Sequence, residues 1–75
     1  MLKHEELADP DSCMSKAKPN EWVFVLLGRD IATPYAIRAW AAERIRLGKN
    51  RQGDMQILEA LRAADSIEEQ QRGVI

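Results

Sequence analysis

The chain has 75 residues, one small domain's worth, and a chain this short buries only about 60% of the surface that its unfolded form exposes. It is 45% hydrophobic and 31% charged with few glycines and prolines, which excludes a disordered, collagen-like or low-complexity protein. The formal net charge of −1 gives the whole molecule no strong field toward nucleic acid or an anionic membrane.

Four segments follow one another. Residues 1–20 are polar and broken by Asp9-Pro10 and Lys18-Pro19. Asp9 before Pro10 reads as a helix start with proline in the first turn, so a short helical turn is expected over about 11–17, stopped by Pro19. Next, Trp22-Val23-Phe24-Val25-Leu26-Leu27 is aromatic and β-branched and ends at Gly28. Its composition and length predict an extended or β segment over 21–28, buried on both faces. No second strand is visible to pair with it, so its backbone groups are left seeking partners.

Thr33 then offers a cap, Pro34 suits the first helical position, and Ile37, Trp40, Ala41 and Ile45 recur at helical spacing. This predicts a helix over 34–47, stopped by Gly48 and Asn50. Residues 49–53 reverse the chain. Asp54 suits the start of a second helix, over 54–71, with Ile57, Leu58, Leu61, Ala64 and Ile67 on one stripe and with Trp40 and Leu61 expected to face each other or a symmetry mate. The tail after Arg72 is expected to fray. The predicted fold is thus mainly α: one domain over 1–75, with an antiparallel two-helix hairpin over 33–72 preceded by a short helical turn and an extended segment. A core this small rarely supplies more than roughly 3–5 kcal/mol without a staple, and self-association is the expected remedy. Pairing of Val23, Val25 and Leu26 with the same segment of a second copy would satisfy both strands at once.

Catalytic and metal chemistry find little to work with. His4 and Cys13 are single residues of their type, with no zinc-type spacing between them and no alternating acidic loop for calcium. A Cys13–His4 thiolate pair would lie in the weakly structured first segment without a third group, so Cys13 is expected to be structural and partly buried. Glu5-Glu6 and Glu68-Glu69 are sequence neighbours whose side chains diverge on a helix. No glycine-rich phosphate loop is present. Neither an enzyme nor a cofactor or metal site is expected. The lone cysteine fits a reducing, cytoplasmic setting. No charged start followed by an apolar stretch suggests a signal peptide, and the longest apolar run is far short of the ~20 residues of a membrane helix.

Binding chemistry is better represented. Arg29, Arg38, Arg44, Arg46, Lys49 and Arg51 make the middle of the chain basic, whereas Asp54, Glu59, Asp65, Glu68 and Glu69 make its end acidic. The basic residues either meet phosphates or pair with the acidic last helix, in the same chain or a second copy. A helix-turn-helix would send Glu59, Asp65, Glu68 and Glu69 toward phosphate, so direct nucleic-acid binding is not expected. The four aromatics, Trp22, Phe24, Tyr35 and Trp40, are either core or an exposed anchor for a partner, with Arg29 and Arg38 as its polar half.

Asp9-Pro10-Asp11-Ser12-Cys13, Glu21-Trp22-Val23-Phe24-Val25-Leu26, Asp30, Pro34, Ile37, Trp40 and Ala41 together resemble small accessory proteins encoded by tailed bacteriophages and prophages. The resemblance covers roughly residues 9–42, with Trp22 standing where that group more often has proline. No catalytic residues come with it. It implies a protein that acts by occupying something in the bacterial host: a host protein, a defence complex or a signalling nucleotide. The function expected is a non-enzymatic, self-associating inhibitor of a host factor, with host defence as the setting. The alternative is an oligomeric sponge that holds a signalling nucleotide between subunits. Partner or ligand contacts are expected from Trp22, Phe24, Arg29, Tyr35, Arg38, Arg44, Lys49 and Arg51.

Overall fold

A computed structural model describes residues 2–73. The chain is mainly helical, with helices α1 (Lys3–Ala8), α2 (Cys13–Lys16), α3 (Thr33–Arg46) and α4 (Met55–Gln71). Among the described residues there is no strand. The tail expected to fray includes Val74 and Ile75, which lie outside the described residues.

The first segment is more ordered than its sequence suggests. α1 was not expected, because a polar six-residue stretch has neither a stripe nor a capping side chain. Asp9 does not start a helix. Its N–H closes α1 on the Glu5 carbonyl, and its carboxylate is occupied by the Asp11 N–H at 2.8 Å. Ser12 starts α2 instead, its hydroxyl accepting from the Ser15 N–H as a helix cap does. α1 and α2 pack together, tied by the Met14 N–H donating to Glu6 Oε1 at 2.9 Å. Cys13, expected to be partly buried, is exposed; α2 is a single turn with no buried residue of its own.

α3 and α4 pack on each other. Their seam holds Pro34 and Ala41 from α3 with Ile57 and Ala64 from α4. Full burial of a side chain such as Ile57 contributes roughly 1.5–3 kcal/mol. The seam is narrow. Leu61 and Trp40, expected to face each other or a symmetry mate, keep 38% and 41% of their surface exposed, and Leu58 is also exposed. Ala41 and Ala64 fill the seam with small buried side chains, and the larger Leu58, Leu61 and Trp40 are left part-exposed at its edges.

The ends of the pair are chemically specified. Ala32, not Thr33, is the residue before α3. Thr33 is buried, and its hydroxyl donates to the Leu27 carbonyl at 2.6 Å, so it holds the incoming loop rather than the helix end. At the other end Gly48 takes φ +74. Its N–H reaches the Ile45 carbonyl and that of Lys49 reaches the Arg44 carbonyl, each at 3.0 Å, a Schellman closure that favours glycine. The turn to α4 is held by side chains: Asn50 accepts from Arg44 Nε at 2.7 Å and donates to Asp54 at 3.1 Å. Asp54 also accepts the Arg51 N–H at 2.8 Å.

The six-residue apolar run departs most from expectation. Residues 22–27 run without helix, ladder, turn or bend, and they are exposed rather than buried on both faces. The reason is the one visible in the sequence: no other segment of the chain offers a strand. The molecule as a whole is correspondingly open. Its radius of gyration is 13.2 Å, against about 11 Å for a compact chain of this length. It exposes 6427 Å², whereas a folded monomer of 8.5 kDa exposes about 4650 Å².

Candidate functional site

The candidate site is built around the run that the fold leaves in solvent. Trp22 is 99% and Phe24 87% exposed, whereas Val23 and Leu26 are 45% and 39% exposed. The segment therefore presents its two aromatics outward and partly covers its aliphatic residues. Val25 and Leu27 are also half or more exposed. Such a contiguous apolar surface marks a contact site.

Where the run ends, the chain is fastened. The Leu27 carbonyl accepts from the Asp30 N–H and the Thr33 hydroxyl, and Asp30 Oδ1 accepts the Ala32 N–H at 2.9 Å. Gln71, near the end of α4, donates through Nε2 to the Gly28 and Asp30 carbonyls at 3.0 and 2.7 Å. This amide clamps the 28–30 turn onto the last turn of α4. Nothing in the sequence singles it out, since a glutamine among Glu69, Gln70 and Gln71 looks like a solvated helix face.

Two shallow, open hollows flank Ile31 and Gln71. One, of about 410 Å³, is lined by Gly28, Arg29, Ile31, Gln70 and Gln71. The other, of about 380 Å³, is lined by Ile31, Tyr35, Glu68, Gln71 and Arg72. Arg29 and Tyr35 are thereby brought to one end of the helix pair, beside the exposed run. Ligand pockets of this volume are normally enclosed on most sides; these are open to solvent.

The remaining basic residues are distributed differently. Arg38 is half-buried and turned onto α4, where Nη2 lies 2.8 Å from Asp65 Oδ1 and 3.1 Å from Glu68 Oε1. Nη1 donates to the second Glu68 oxygen at 3.3 Å. These hydrogen bonds raise the Arg38 pKa and, from the other side, hold the Glu68 carboxyl below its ordinary value. Arg38 thus pairs with the acidic last helix. Arg44 stacks over the Trp40 ring at 5.8 Å and bonds Asn50, and Arg46 pairs with Glu43 on its own helix, which lowers the Glu43 pKa. Lys49 and Arg51 are exposed at the α3–α4 turn, and the backbone N–H of Arg51, with Asn50, lowers the pKa of Asp54.

The aromatics divide in the same way. Core packing, one of the two expectations for them, is not what they do: Trp22, Phe24, Tyr35 and Trp40 are all exposed to some degree. Trp40 is a flank residue under Arg44, and Tyr35 lines the hollow next to the one that Arg29 lines. The Arg44–Lys49–Arg51 group belongs to the opposite end of the pair. Among the described residues no three of His, Cys, Asp and Glu come together as a metal site would require, and no helix is long and apolar enough to cross a membrane. The chain matches no protein-family model, no curated protein and no solved structure.

Proposed function

We propose that the chain is a non-enzymatic binding protein of the phage accessory kind, which self-associates and blocks a host factor by covering it, with antiviral defence in the bacterial cytoplasm as the setting. In this reading α3 and α4 are an antiparallel hairpin that forms part of a larger core completed by other copies. The observation that carries it is the exposed apolar run Trp22–Leu27, in a chain with about 1800 Å² more surface than a folded monomer of its mass needs. A standard interface takes about 800 Å² from each partner. The surplus is enough for one contact with a second copy and another with a target. Trp22, Phe24, Ile31, Tyr35 and Arg29 are residues of recognition, aromatic anchors with a cationic rim, rather than of proton transfer.

Light scattering at high micromolar concentration tests the first half, with a mass at least twice the 8.5 kDa of one chain expected and a stable monomer overturning it. The second half is tested in a host carrying an antiviral defence system. Expression of the protein should restore phage plating there, and Trp22→Glu should abolish that effect. Unchanged plating across a panel of defended hosts overturns the blocking role.

A second reading, a nucleotide sponge, is favoured by one observation. Arg29 and Tyr35 flank the adjoining open hollows around Ile31, where a second copy could supply the missing wall. A nucleotide panel should then raise the melting temperature. No shift with any nucleotide removes the sponge and leaves the protein-blocking role standing.

A further inference from the structure

The run Trp22–Leu27 resembles half of a sheet. Among the described residues, none of the N–H and C=O groups of Trp22 to Leu26 takes part in a hydrogen bond. The backbone there has no turn or bend, and among the described residues no non-glycine residue has a positive φ. A straight, unpaired, apolar segment with ordinary backbone angles is ready to add to another strand. We propose that its partner is the same segment of a second copy, in a two-stranded antiparallel ribbon centred on Phe24. This rests on the self-association put forward above and names its contact.

The register follows from symmetry and from which groups are free. A two-fold axis normal to the ribbon keeps each side chain on its own face, and residues directly opposite each other share a face. Paired residue numbers must therefore sum to an even value, and the axis passes through Val23, Phe24 or Val25. Centring on Val23 sets Glu21 against Val25. Centring on Val25 sets Trp22 against Gly28, whose carbonyl is already engaged by Gln71, and uses Leu27, whose carbonyl is held by Thr33. Centring on Phe24 pairs Phe24 with Phe24, Val23 with Val25 and Trp22 with Leu26. Every free backbone group from Trp22 to Leu26 then lies within the ribbon, and each engaged carbonyl lies outside it. One face carries Trp22, Phe24 and Leu26 from both copies, an aromatic cross-strand cluster of the kind that stabilises antiparallel pairs. The two most exposed side chains of the run, Trp22 and Phe24, come to lie on that one face. The occupant is a second copy because the surplus surface is present on every chain and an isologous contact satisfies both with one arrangement.

Cysteine cross-linking of the full chain in a Cys13→Ser background tests the register, with the mass measured alongside. Opposed residues in an antiparallel pair have Cα atoms about 4.5–5.5 Å apart, within the range that a disulfide spans. Whichever type of pair Phe24–Phe24 forms, Val23–Val25 is the other. Under mild oxidation Phe24→Cys alone should give mostly covalent dimer, and an equal mixture of Val23→Cys and Val25→Cys chains about half, the share of mixed dimers that random pairing gives. Val23→Cys alone should cross-link several-fold less than the mixture. A protein that is oligomeric by light scattering, yet gives neither cross-link, overturns the ribbon while self-association stands. A stable monomer overturns both, and leaves the segment for the sheet edge of a different protein.

Discussion

The helix pair α3–α4 is about half apolar and the run Trp22–Leu27 entirely so, yet it is the pair that buries apolar side chains. The pair satisfies its own needs. Its helix ends are closed by Gly48 and by the Asn50–Asp54 turn, its seam is filled by Pro34, Ala41, Ile57 and Ala64, and its flank is tied by Arg38 to Asp65 and Glu68. A helix makes its backbone hydrogen bonds within itself, so it needs only a neighbour for its side chains. The run needs partners for both backbone and side chains, and the chain provides neither. Hydrophobicity alone does not decide burial; the element that delivers it does.

That contrast breaks most easily at Ile57, the largest fully buried side chain of the seam. Ile57→Ala should destabilise the protein by roughly 2–5 kcal/mol in chemical denaturation, a large part of a small domain's total stability. A loss below about 0.5 kcal/mol, the lower end for removing even one buried methylene, would mean that the seam is not the core. Gly48→Ala comes next. Nothing lies within 4 Å of the added methyl, so the cost is purely that of a left-handed backbone, about 1–2 kcal/mol. Gly53 lacks such a backbone angle, and Gly53→Ala should be neutral or stabilise by about 0.4–1 kcal/mol through the unfolded state. Equal effects at the two glycines would refute the Schellman closure as the stop of α3.

Much of this division is legible in the sequence, and its limits are physical. The helices expected over 34–47 and 54–71 are observed as Thr33–Arg46 and Met55–Gln71, because Pro34, Gly48 and the 3.6-residue spacing are local signals. The apolar character of Trp22–Leu27 is equally plain. Its exposure is not, because burial depends on what the rest of the chain can place against it. The caps misread at Asp9 and Thr33 share one cause. Each side chain has an alternative bond, to the Asp11 N–H or the Leu27 carbonyl, that composition does not reveal. The site is less legible than the fold. Arg38 looks like a ligand-binding arginine until Asp65 and Glu68 are brought beside it, and Gln71 has no signal in the sequence at all.

Acid should sharpen the comparison, since the pair contains the perturbed carboxylates and the run has none. Glu68, Glu43 and Asp54 all have folded-state values below their ordinary ones, through Arg38, Arg46 and the Arg51 N–H respectively. Their contribution is fully present above the unfolded carboxylate values, about 3.9 to 4.3, and is lost as pH falls through the lower folded ones. The melting temperature should hold from pH 7 to about 5 and decline below about 4. Arg38→Met should flatten the part of that decline that belongs to Glu68. The same acid slope in Arg38→Met would show that the ion group contributes nothing, as many exposed pairs do.

The smallest effect is expected at the most exposed apolar residue. Trp22 touches so little of its own chain that Trp22→Ser should change the stability of a dilute, dissociated chain by less than about 0.5 kcal/mol, as surface substitutions do. Its helical circular dichroism should be unaltered. At high concentration the two proteins should part. If copies meet through residues 22–26, association stabilises the folded state by mass action, and the wild-type melting temperature rises with concentration. Trp22→Ser removes one side of the Trp22–Leu26 pair in both copies, so its melting temperature should stay level over the same range. A concentration series from about 1 to 300 μM, in which each tenfold step scales the association term by about 1.4 kcal/mol per dimer, separates the outcomes. Parallel slopes for wild type and variant would place self-association elsewhere, on the partly exposed Leu58 and Leu61 flank of α4. A loss of helix in the variant at any concentration would mean that the run supports the pair after all, and that the two regions are one cooperative unit.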